Sequence, residues 1–414
     1  MKPHHASPAP DLEGPQWHRL DRIQWDQLIP LTTEPFLAAY AASKVPLTTP
    51  TLVFAIIYYV ITATGVTAGY HRLWSHKSFD AAWPLKLWFA LAGAGSVQGS
   101  IKWWSRRHRA HHRYTDTDAD PYSAHRGLLW SHILWLFFKP GPATRRAQAK
   151  VDMRDLNADW IVTFQHRFFI PIALTMSFAV PAAVAHFGWN DALGGLVWAG
   201  LVRMVLLHHA TFCVNSLAHY LGEATYDDRR SPKDHLVTAL ITMGEGQHSF
   251  HHSFPNDYRN AYQWCEWDPT KWLIWACSLV GLTWNLKRFP DNEIRKGKLM
   301  MQEKKLQALR HELDWGVATD SLPSWSTARF VEELRLNPSM IVIEGVAHDV
   351  SLFIHDHPGG VGIVKPFLGK DATEAFNGRV YDHSTAARNL MAHLRVAKVV
   401  GSVETPAKVD ELEE

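Results

Sequence analysis

Two stretches of the chain repeat the pattern His-x-x-His-His: HRAHHRYTDTD at residues 108–118 and GEGQHSFHHSFP at residues 244–255. On a helix, residues i, i+3 and i+4 lie on one face, so each stretch can direct three imidazoles into one space. Histidine accounts for 25 of the 414 residues, and chance would give roughly 0.1 such triplet in the whole chain. The repeat therefore predicts a metal site rather than two solvated polar helix faces.

The composition indicates a membrane protein with large parts outside the bilayer. Apolar residues make up 47% of the chain and aromatic residues 12%, including 19 tryptophans, a residue that gathers at membrane interfaces. The mean hydropathy of -0.16 is low for a wholly embedded protein. The net charge of +2 predicts no nucleic-acid partner. The cysteines form no close pair, which argues against a disulfide framework and a thiolate zinc site and fits a reducing compartment.

Four stretches are predicted to span the membrane: residues 28–46, 52–70, 168–187 and 192–213. The second has no charged residue over 19 positions, the length needed to cross about 30 Å of hydrocarbon. Glu34 in the first is expected to face a neighbouring helix or the interface. Arg203 in the fourth is expected to find an interior partner or to lie near the end of its span. Arginine and lysine are concentrated between residues 72 and 167, so the positive-inside rule places the histidine motifs on the cytosolic side.

Two further apolar stretches are not expected to cross. If residues 83–100 crossed the bilayer, His71 and His76 would lie on the opposite side from His108 and could not meet it. We therefore expect this stretch to lie in the interface or to re-enter from the same side. Residues 128–138 are too short to cross.

Three more histidines extend the candidate metal site. His71 and His76, in HRLWSH, are five residues apart, which puts their rings about 140° apart on an ideal helix, so they share a target only if the helix ends or bends there. His219 follows the fourth span. With the two triplets they make nine candidate ligands: His71, His76, His108, His111, His112, His219, His248, His251 and His252. One first-row ion takes about four to six ligands, so nine predict two ions.

Residues beside these histidines have roles that the sequence leaves open. Asn215, one helical turn before His219, is placed to hold a water on one ion. Asp116, Asp118 and Asp120 either accept hydrogen bonds from ligand imidazoles or form a solvated acidic turn. His208 and His209 are expected to satisfy the end of the fourth span. Imidazole ligands suit Fe, Zn, Cu or Ni, so the ligand type alone does not select the metal. No role is assigned to four histidines: His125, His132, His166 and His235.

Four segments resemble the histidine boxes of the membrane fatty acyl-CoA desaturases, in particular the fungal type of stearoyl-CoA Δ9 desaturase. They are GVTAGYHRLWSH, HRAHHRYTDTDADPYS, NSLAHYLGEATYDDRRSP and GEGQHSFHHSFPNDYRNAYQW. The resemblance covers residues 20–289 and implies a di-iron centre held by the nine histidines, with Asn215 acting through water. It also implies a saturated fatty acyl-CoA, stearoyl or palmitoyl, and O2 as substrates.

The resemblance also implies how the substrate is held. The second span would line a tunnel for the acyl chain, and Lys102, Arg106 and Lys139 would bind the CoA phosphates, with Trp104 as a further substrate contact. The alternative for the cations is ordinary membrane-surface charge. The chain departs from the family pattern at Arg107, inside the second box, and at Pro140, which leaves Lys139 as the only cation in FFKPGP.

The composition changes after residue 290. Residues 291–322 are charged and amphipathic, which predicts a helical linker, and residues 323–403 contain short strand-like runs, His357-Pro-Gly-Gly360 and His383. Two histidines from different helices are able to trap a haem iron between them. FIHDHPGG, FLGKDATEAF and YDHS resemble cytochrome b5, which implies haem b with His357 and His383 as axial ligands. The implied pocket residues are Phe353, Leu368 and Phe376.

The predicted fold class is mainly α: a four-span membrane helical bundle with a cytosolic helical cap that holds a histidine-rich dimetal site, plus a small α+β cytochrome b5-like domain. Residues 1–19 are expected to be a disordered tail, residues 20–290 the desaturase domain, and residues 404–414 an acidic tail. The implied function is Δ9 desaturation of acyl-CoA at the endoplasmic reticulum membrane, with both metal-binding domains cytosolic. Electrons would come from NADH through a separate cytochrome b5 reductase and the fused haem. Two alternatives remain, namely lipid hydroxylation or methyl oxidation, and a membrane haem protein that stores or relays metal.

Overall fold

The computed structural model describes residues 20–379 and 381–404. The predicted N-terminal tail, and all of the predicted acidic tail except Glu404, lie outside these residues. The chain divides into two compact units, Met1–Lys304 and Lys305–Glu414. The division falls inside the predicted linker, residues 291–322.

The described part of the first unit is mainly helical, as predicted. Its α-helices are α1 (Trp25–Lys44), α2 (Thr49–Thr64), α3 (Trp83–Ala94), α4 (Ile101–Tyr114), α5 (Trp135–Phe137), α6 (Pro142–Ala149), α7 (Arg154–Ala158), α8 (Trp160–Arg167), α9 (Phe169–Leu174), α10 (Val180–Trp189), α11 (Ala192–Gly194), α12 (Arg203–Asn215), α13 (Leu217–Tyr220), α14 (Leu236–Ile241), α15 (His248–Ser253), α16 (Pro269–Leu279) and α17 (Asp291–Glu312), the last of which continues into the second unit. Four π-helical segments are Gly65–Ser75, Trp130–Leu134, Thr175–Ala179 and Gly195–Val202. Strands β1 (Asp80–Ala81) and β2 (Thr283–Trp284) form an antiparallel pair.

Within the described residues, three continuous helical runs are long and apolar enough to cross a membrane: Thr49–Ser75, Phe169–Trp189 and Ala192–Tyr220. They contain three of the four predicted spans and indicate a membrane protein. The remaining predicted span, residues 28–46, corresponds to α1, which has 20 residues and two internal prolines, Pro30 and Pro35. Its crossing of the bilayer stays a prediction.

Polar side chains inside the bundle pair with groups on other helices. Glu34 on α1 is buried and lies 2.6 Å from Nδ1 of His208, whose Nε2 lies 2.8 Å from the Ser96 carbonyl. His208 was predicted to satisfy the end of its own span, but its two ring nitrogens bond instead to Glu34 and to the Ser96 carbonyl. Glu34 does face a neighbouring helix, as expected. His209 bonds to His132 at 3.1 Å.

The helix α3 ends inside the first unit. It has 12 residues, a length of about 18 Å that is too short to cross a bilayer. The last carbonyls of a helix have no hydrogen-bond partner within that helix, so those of α3 need donors from elsewhere in the protein. Arg203 donates to the Gly95 carbonyl at 2.8 Å and to the hydroxyls of Thr62 and Ser177 at 3.3 and 2.9 Å. Arg203 thus has the interior partners that its sequence position required, and all of them are neutral oxygens.

The second unit is a small sheet with short helices, as predicted for an α+β domain. Its strands are β3 (Ser324–Ser326), β4 (Met340–Ile343), β5 (Val346–Asp349) and β6 (Arg395–Val400), in the order β3-β6-β5-β4. The two-residue turn between β4 and β5 consists of Glu344 and Gly345, both with positive φ, the conformation that a type I′ hairpin requires. The helices are α18 (Thr327–Leu336), α19 (Val361–Val364), α20 (Thr373–Phe376) and α21 (Thr385–His393).

Candidate metal centre

In the described part of the chain, all nine predicted histidines converge into two groups, and within each group the ligand atoms lie within 4.8 Å of one another. The first group is His71, His76, His108, His112 and His251. The second group is His111, His219, His248 and His252. Asn215 belongs to neither group but lines the cavity beside His248.

Each histidine triplet is divided between the two groups, contrary to the expectation that it points into a single space. On α4, His108 and His112 enter the first group and His111 the second. On α15 the division is reversed, so His251 enters the first group and His248 and His252 the second. The Nε2 atoms of His112 and His251 are 2.9 Å apart, and those of His111 and His252 are 3.3 Å apart. Two helices thus supply both sites.

A π-helical segment brings His71 and His76 together. In a π-helix the N–H of residue i+5 bonds to the carbonyl of residue i, and the His76 N–H donates to the His71 carbonyl at 3.1 Å. Their ring centres are 4.8 Å apart. The bend that the five-residue spacing required is therefore a change of helix type over Gly65–Ser75.

Carboxylates fix the orientation of one ring in each group. His71 Nδ1 lies 2.6 Å from Glu245 Oε2, and His111 Nδ1 lies 2.9 Å from Asp120 Oδ1. A ring that donates from Nδ1 keeps its Nε2 lone pair for a metal. Glu245 is held in turn by Arg72 at 2.9 Å and by the Asn260 amide at 2.7 Å.

A third carboxylate acts through a hydroxyl. His219 Nδ1 lies 2.7 Å from Ser231 Oγ, and Ser231 donates from Oγ and from its backbone N–H to Asp116 at 2.5 and 2.7 Å. Two of the three aspartates in DTDAD therefore support imidazoles. Asp118 lines a separate groove. Among the described residues, Nδ1 of His248 and Nδ1 of His252 are buried without a hydrogen-bond partner.

Burial favours the neutral form of several imidazoles in the site. Desolvation, reinforced by neighbouring imidazoles, lowers the pKa of His108, His112, His251 and His252 well below its usual value, and lowers the pKa of His248 to about 3. Burial alone would raise the pKa of Glu245, but His71 and Arg72 lower it to about 2. Neutral rings with converging lone pairs and an ionised carboxylate behind them fit a metal centre.

An apolar cavity reaches both histidine groups. Trp104 forms part of its wall and stacks on His108 with ring centres 4.7 Å apart. Gln98 donates to Thr211, another lining residue, at 3.0 Å. The aliphatic lining residues are Ala63, Val66, Leu207, Ala210 and Val214. The apolar part of this lining is therefore suited to contact hydrocarbon next to the candidate metal centre.

A second, basic groove contains Lys139 but not Lys102 or Arg106. Arg107 lies over the Trp103 ring at 3.7 Å in this groove. Its cations are Arg22, Arg107, Arg126, Lys139 and Arg146. Lys102 and Arg106 stand on the adjacent strip of α4, close enough to His166 for their charges to lower its pKa, after the larger effect of burial.

The second unit brings the two predicted haem ligands together. The rings of His357 and His383 are 6.2 Å apart, which leaves room for one metal with bonds of about 2 Å to each ring. His383 Nδ1 lies 3.0 Å from the Phe376 carbonyl, so its Nε2 is free. His357 Nδ1 accepts from the Gly359 N–H at 3.1 Å, a bond that must be given up for ligation through Nε2.

Two of the three predicted pocket residues, Phe353 and Phe376, contact these rings. Phe376 stacks on His383 with ring centres 4.3 Å apart, and Phe353 meets His357 edge-on at 5.9 Å. Leu368 packs with Phe376 against the same small core.

A family model described as fatty acid desaturase matches residues 47–284, more than half of the chain. The chain belongs to the fatty acid desaturase family. A second family model, described as a cytochrome b5-like heme/steroid binding domain, matches residues 327–400. Membership of the desaturase family together with nine converging imidazoles indicates a di-iron centre, and the second match indicates haem.

Similar desaturases come from fungi and from a mammal. Acyl-CoA desaturase 1 of Saccharomyces cerevisiae is 45% identical over 385 residues, which cover 92% of this chain and 74% of the relative. The probable acyl-CoA desaturase of Schizosaccharomyces pombe is 46% identical over 402 residues, which cover 97% of this chain and 82% of the relative. Stearoyl-CoA desaturase 5 of Bos taurus is 38% identical over 287 residues, which cover 69% of this chain and 85% of the relative.

Several residues that support the centre were not predicted. Glu245 stands three positions before His248 in GEGQHSFHH, and a carboxylate so close to a histidine triplet is a signal that the sequence offered. Ser231 and Tyr122, whose hydroxyl lies 3.4 Å from His108 Nδ1, gave no such signal, because a hydroxyl at a long sequence distance has no spacing rule.

Proposed function

We propose that this chain is an acyl-CoA Δ9 desaturase of the endoplasmic reticulum membrane, which inserts a cis double bond into saturated stearoyl- or palmitoyl-CoA. The observation that carries the proposal is the apolar cavity that ends at two groups of histidines, in a chain whose similar proteins are named acyl-CoA desaturases. We propose the nine histidines as the iron ligands, with Asn215 acting through water.

The chain's own residues position the substrate and the ligands. When bound, the two irons supply, with O2, the oxidant that unactivated C–H bonds require. The aliphatic wall of the cavity excludes water and holds one pair of methylenes beside the centre. Trp104 packs on His108 and borders the same space, so it fixes both a ligand and the chain path. Glu245 and Asp120 hold His71 and His111 in the tautomer that binds metal.

The CoA end of the substrate is proposed to lie along the basic groove. Lys139 and Arg107 would meet phosphates there, since guanidinium and ammonium groups favour these oxygens. Lys102 and Arg106, on the adjacent strip of α4, would make further contacts with the phosphates.

The electron supply and the topology extend the proposal. We propose that electrons pass from NADH through a separate cytochrome b5 reductase to a haem b held by His357 and His383, and then to the di-iron centre. We also propose that α1 is a fourth span, that both metal-binding domains are cytosolic, and that residues 20–290, 291–322 and 323–403 act as desaturase domain, linker and haem domain.

Fatty-acid profiling tests the proposal. A desaturase-deficient cell that expresses this chain is expected to regain Δ9 monounsaturated C16 or C18 acids, whereas the same cell with the His251→Ala variant is not. Hydroxylated acids in place of alkenes would favour the hydroxylation alternative. Zinc or copper alone in the purified chain, without O2 consumption, would favour metal storage.

A further inference from the structure

The helix α17 begins inside the first unit, although its sequence predicted only a cytosolic linker. Within this fully described helix, Ile294 is the one buried residue, with 1% of its surface exposed. Other apolar residues of the helix, such as Leu299 and Leu306, are 53% and 57% exposed. The main apolar contact of this helix is therefore made by a single side chain, Ile294, near its start.

Ile294 packs among aromatic rings next to the second histidine triplet, which lies on α15. It packs in one buried cluster with Phe250 and Phe254, flanked by Tyr226 and Tyr262. Phe250 and Phe254 are 1% and 7% exposed, and their ring centres are 5.1 Å apart. Phe250 belongs to α15, and Phe254 is the residue that ends it.

The helix α15 needs such support. It has six residues, and a helix of that length is not stable without tertiary contacts. Phe250 is two residues after His248 and one before His251, so on a helix of 3.6 residues per turn its ring points away from the imidazoles. The aromatic face of α15 is therefore the face through which its histidines can be held in place.

Polar contacts attach both ends of this part of the chain to the same unit. The Phe289 N–H donates to Asp257 at 2.9 Å just before α17 begins, and the Phe289 ring lies 4.8 Å from that of Phe254. Lys304 pairs with Asp228 at 2.5 Å. These contacts attach α17, from its start to Lys304, to the same unit as α15.

We propose that Ile294 is a positioning residue for the metal centre. By packing against Phe250 and Phe254, the start of the linker helix holds α15 in the orientation that directs His248, His251 and His252 into the two groups. This inference rests on the proposed ligation of iron by the α15 histidines. It makes the first turn of the linker part of the desaturase site.

Release of non-haem iron to a chelator tests the proposal on the purified full-length holoprotein, with haem absorbance as the internal reference. Ile294→Ala is expected to release iron at least tenfold faster than the unsubstituted chain, which is about 1.4 kcal/mol at 25 °C. The matched control, Leu299→Ala, removes an exposed side chain from the same helix and is expected to leave the rate unchanged. Ile294→Val, which keeps most of the volume, is expected to fall between them.

Other outcomes would overturn the positioning role of Ile294 or the ligand assignment. Equal rates for Ile294→Ala and the unsubstituted chain overturn the proposal, and so does an equal acceleration in Leu299→Ala. If Ile294→Ala does not accumulate with haem, the comparison of Ile294→Val with Leu299→Val decides in the same way. His251→Ala separates the two hypotheses: iron loss there without acceleration in Ile294→Ala refutes only the positioning role, whereas full iron retention in His251→Ala refutes the ligand assignment.

Discussion

At the scale of single residues, the position of one proton on each imidazole controls whether the ring is able to bind metal. His71 and His111 have that proton fixed by a buried carboxylate, and His219 by the Ser231 hydroxyl. The Nδ1 atoms of His248 and His252 have no such partner in the described part of the chain. The candidate ligands therefore differ in whether their Nδ1 proton is held by a hydrogen bond. Loss of one supporting carboxylate should lower metal affinity first at the group that contains its histidine.

Glu245→Gln is expected to lower iron affinity by about 10- to 100-fold, the usual effect of removing a group that orients a ligand. The amide removes the negative charge that faces His71 and Arg72, so the buried Arg72 also loses part of its compensation. Iron per haem in the purified chain after dialysis against a chelator measures the effect. Glu303→Gln, on the exposed side of α17, is the matched control and should keep its iron.

Arg109 is expected to matter although it points away from the metal. Its guanidinium donates to the carbonyls of Trp74 and Ser75 at 2.6 and 3.1 Å and to both oxygens of Asp155. It thus binds the end of the π-helical segment just before His76. Lysine cannot make this set of contacts, so Arg109→Lys should lose iron and activity together. Arg113→Lys, exposed on the same helix, should resemble the unsubstituted chain, and equal iron content in both variants would contradict the argument.

At the scale of elements, the π-helical segment Gly65–Ser75 depends on close packing against α3. A Cβ on Gly65 would lie 2.3 Å from the Gly93 nitrogen, and a Cβ on Gly69 would lie 2.7 Å from the Phe89 Cβ. Real side chains do not approach that closely, so both positions require glycine for contact rather than for backbone freedom.

Gly65→Ala is therefore expected to destabilise the first unit by about 1–3 kcal/mol, the range for overpacking in a filled core. Backbone atoms of α3 are the neighbours that would have to move. Thermal inactivation of desaturation should occur at lower temperature in this variant. Gly188→Ala, where the added Cβ meets nothing within 4 Å, is the control, and a similar loss in both would show that α3 packing is not the cause.

The histidine elements show how far the sequence determines the site. The i, i+3, i+4 spacing predicted all six triplet histidines, because it follows from helix geometry alone. It did not predict the division of each triplet, since that depends on where the partner helix stands. The pairing of His71 with His76 needed a π-helix, which is selected by packing at Gly65 and Gly69 and has no local periodic signal. Glu34 was expected to face a neighbouring helix or the interface, and it faces His208. His208 itself had been predicted to satisfy the end of its own span.

At the scale of the whole molecule, two compact units carry the two candidate redox centres. Among the described residues, the candidate ligands for each centre come from one unit only. Loss of one metal should therefore leave the other centre filled.

His383→Ala is expected to lose the six-coordinate haem spectrum and nearly all NADH-dependent activity while it keeps two irons. His251→Ala is expected to keep the haem spectrum but to lose iron and desaturation. Free cytochrome b5 added to the His383→Ala variant should restore part of the turnover. Recovery should stay incomplete, because fusion holds the donor at an effective concentration of about millimolar for a short linker. Spectra, iron content and turnover with purified reductase measure these outcomes, and full activity of His383→Ala without added cytochrome would rule out the fused haem as obligatory donor.

The exchange of histidines between α4 and α15 couples the loading of the two ions. Each helix contributes to both groups, so an ion that settles in one group immobilises the same two helices on which the other group depends. The entropy cost of ordering the two helices then falls largely on the first binding event. The second ion binds to a group of histidines that is already ordered. Metal uptake should accordingly be cooperative, with the half-filled protein scarce during titration and the two ions lost almost together on chelation.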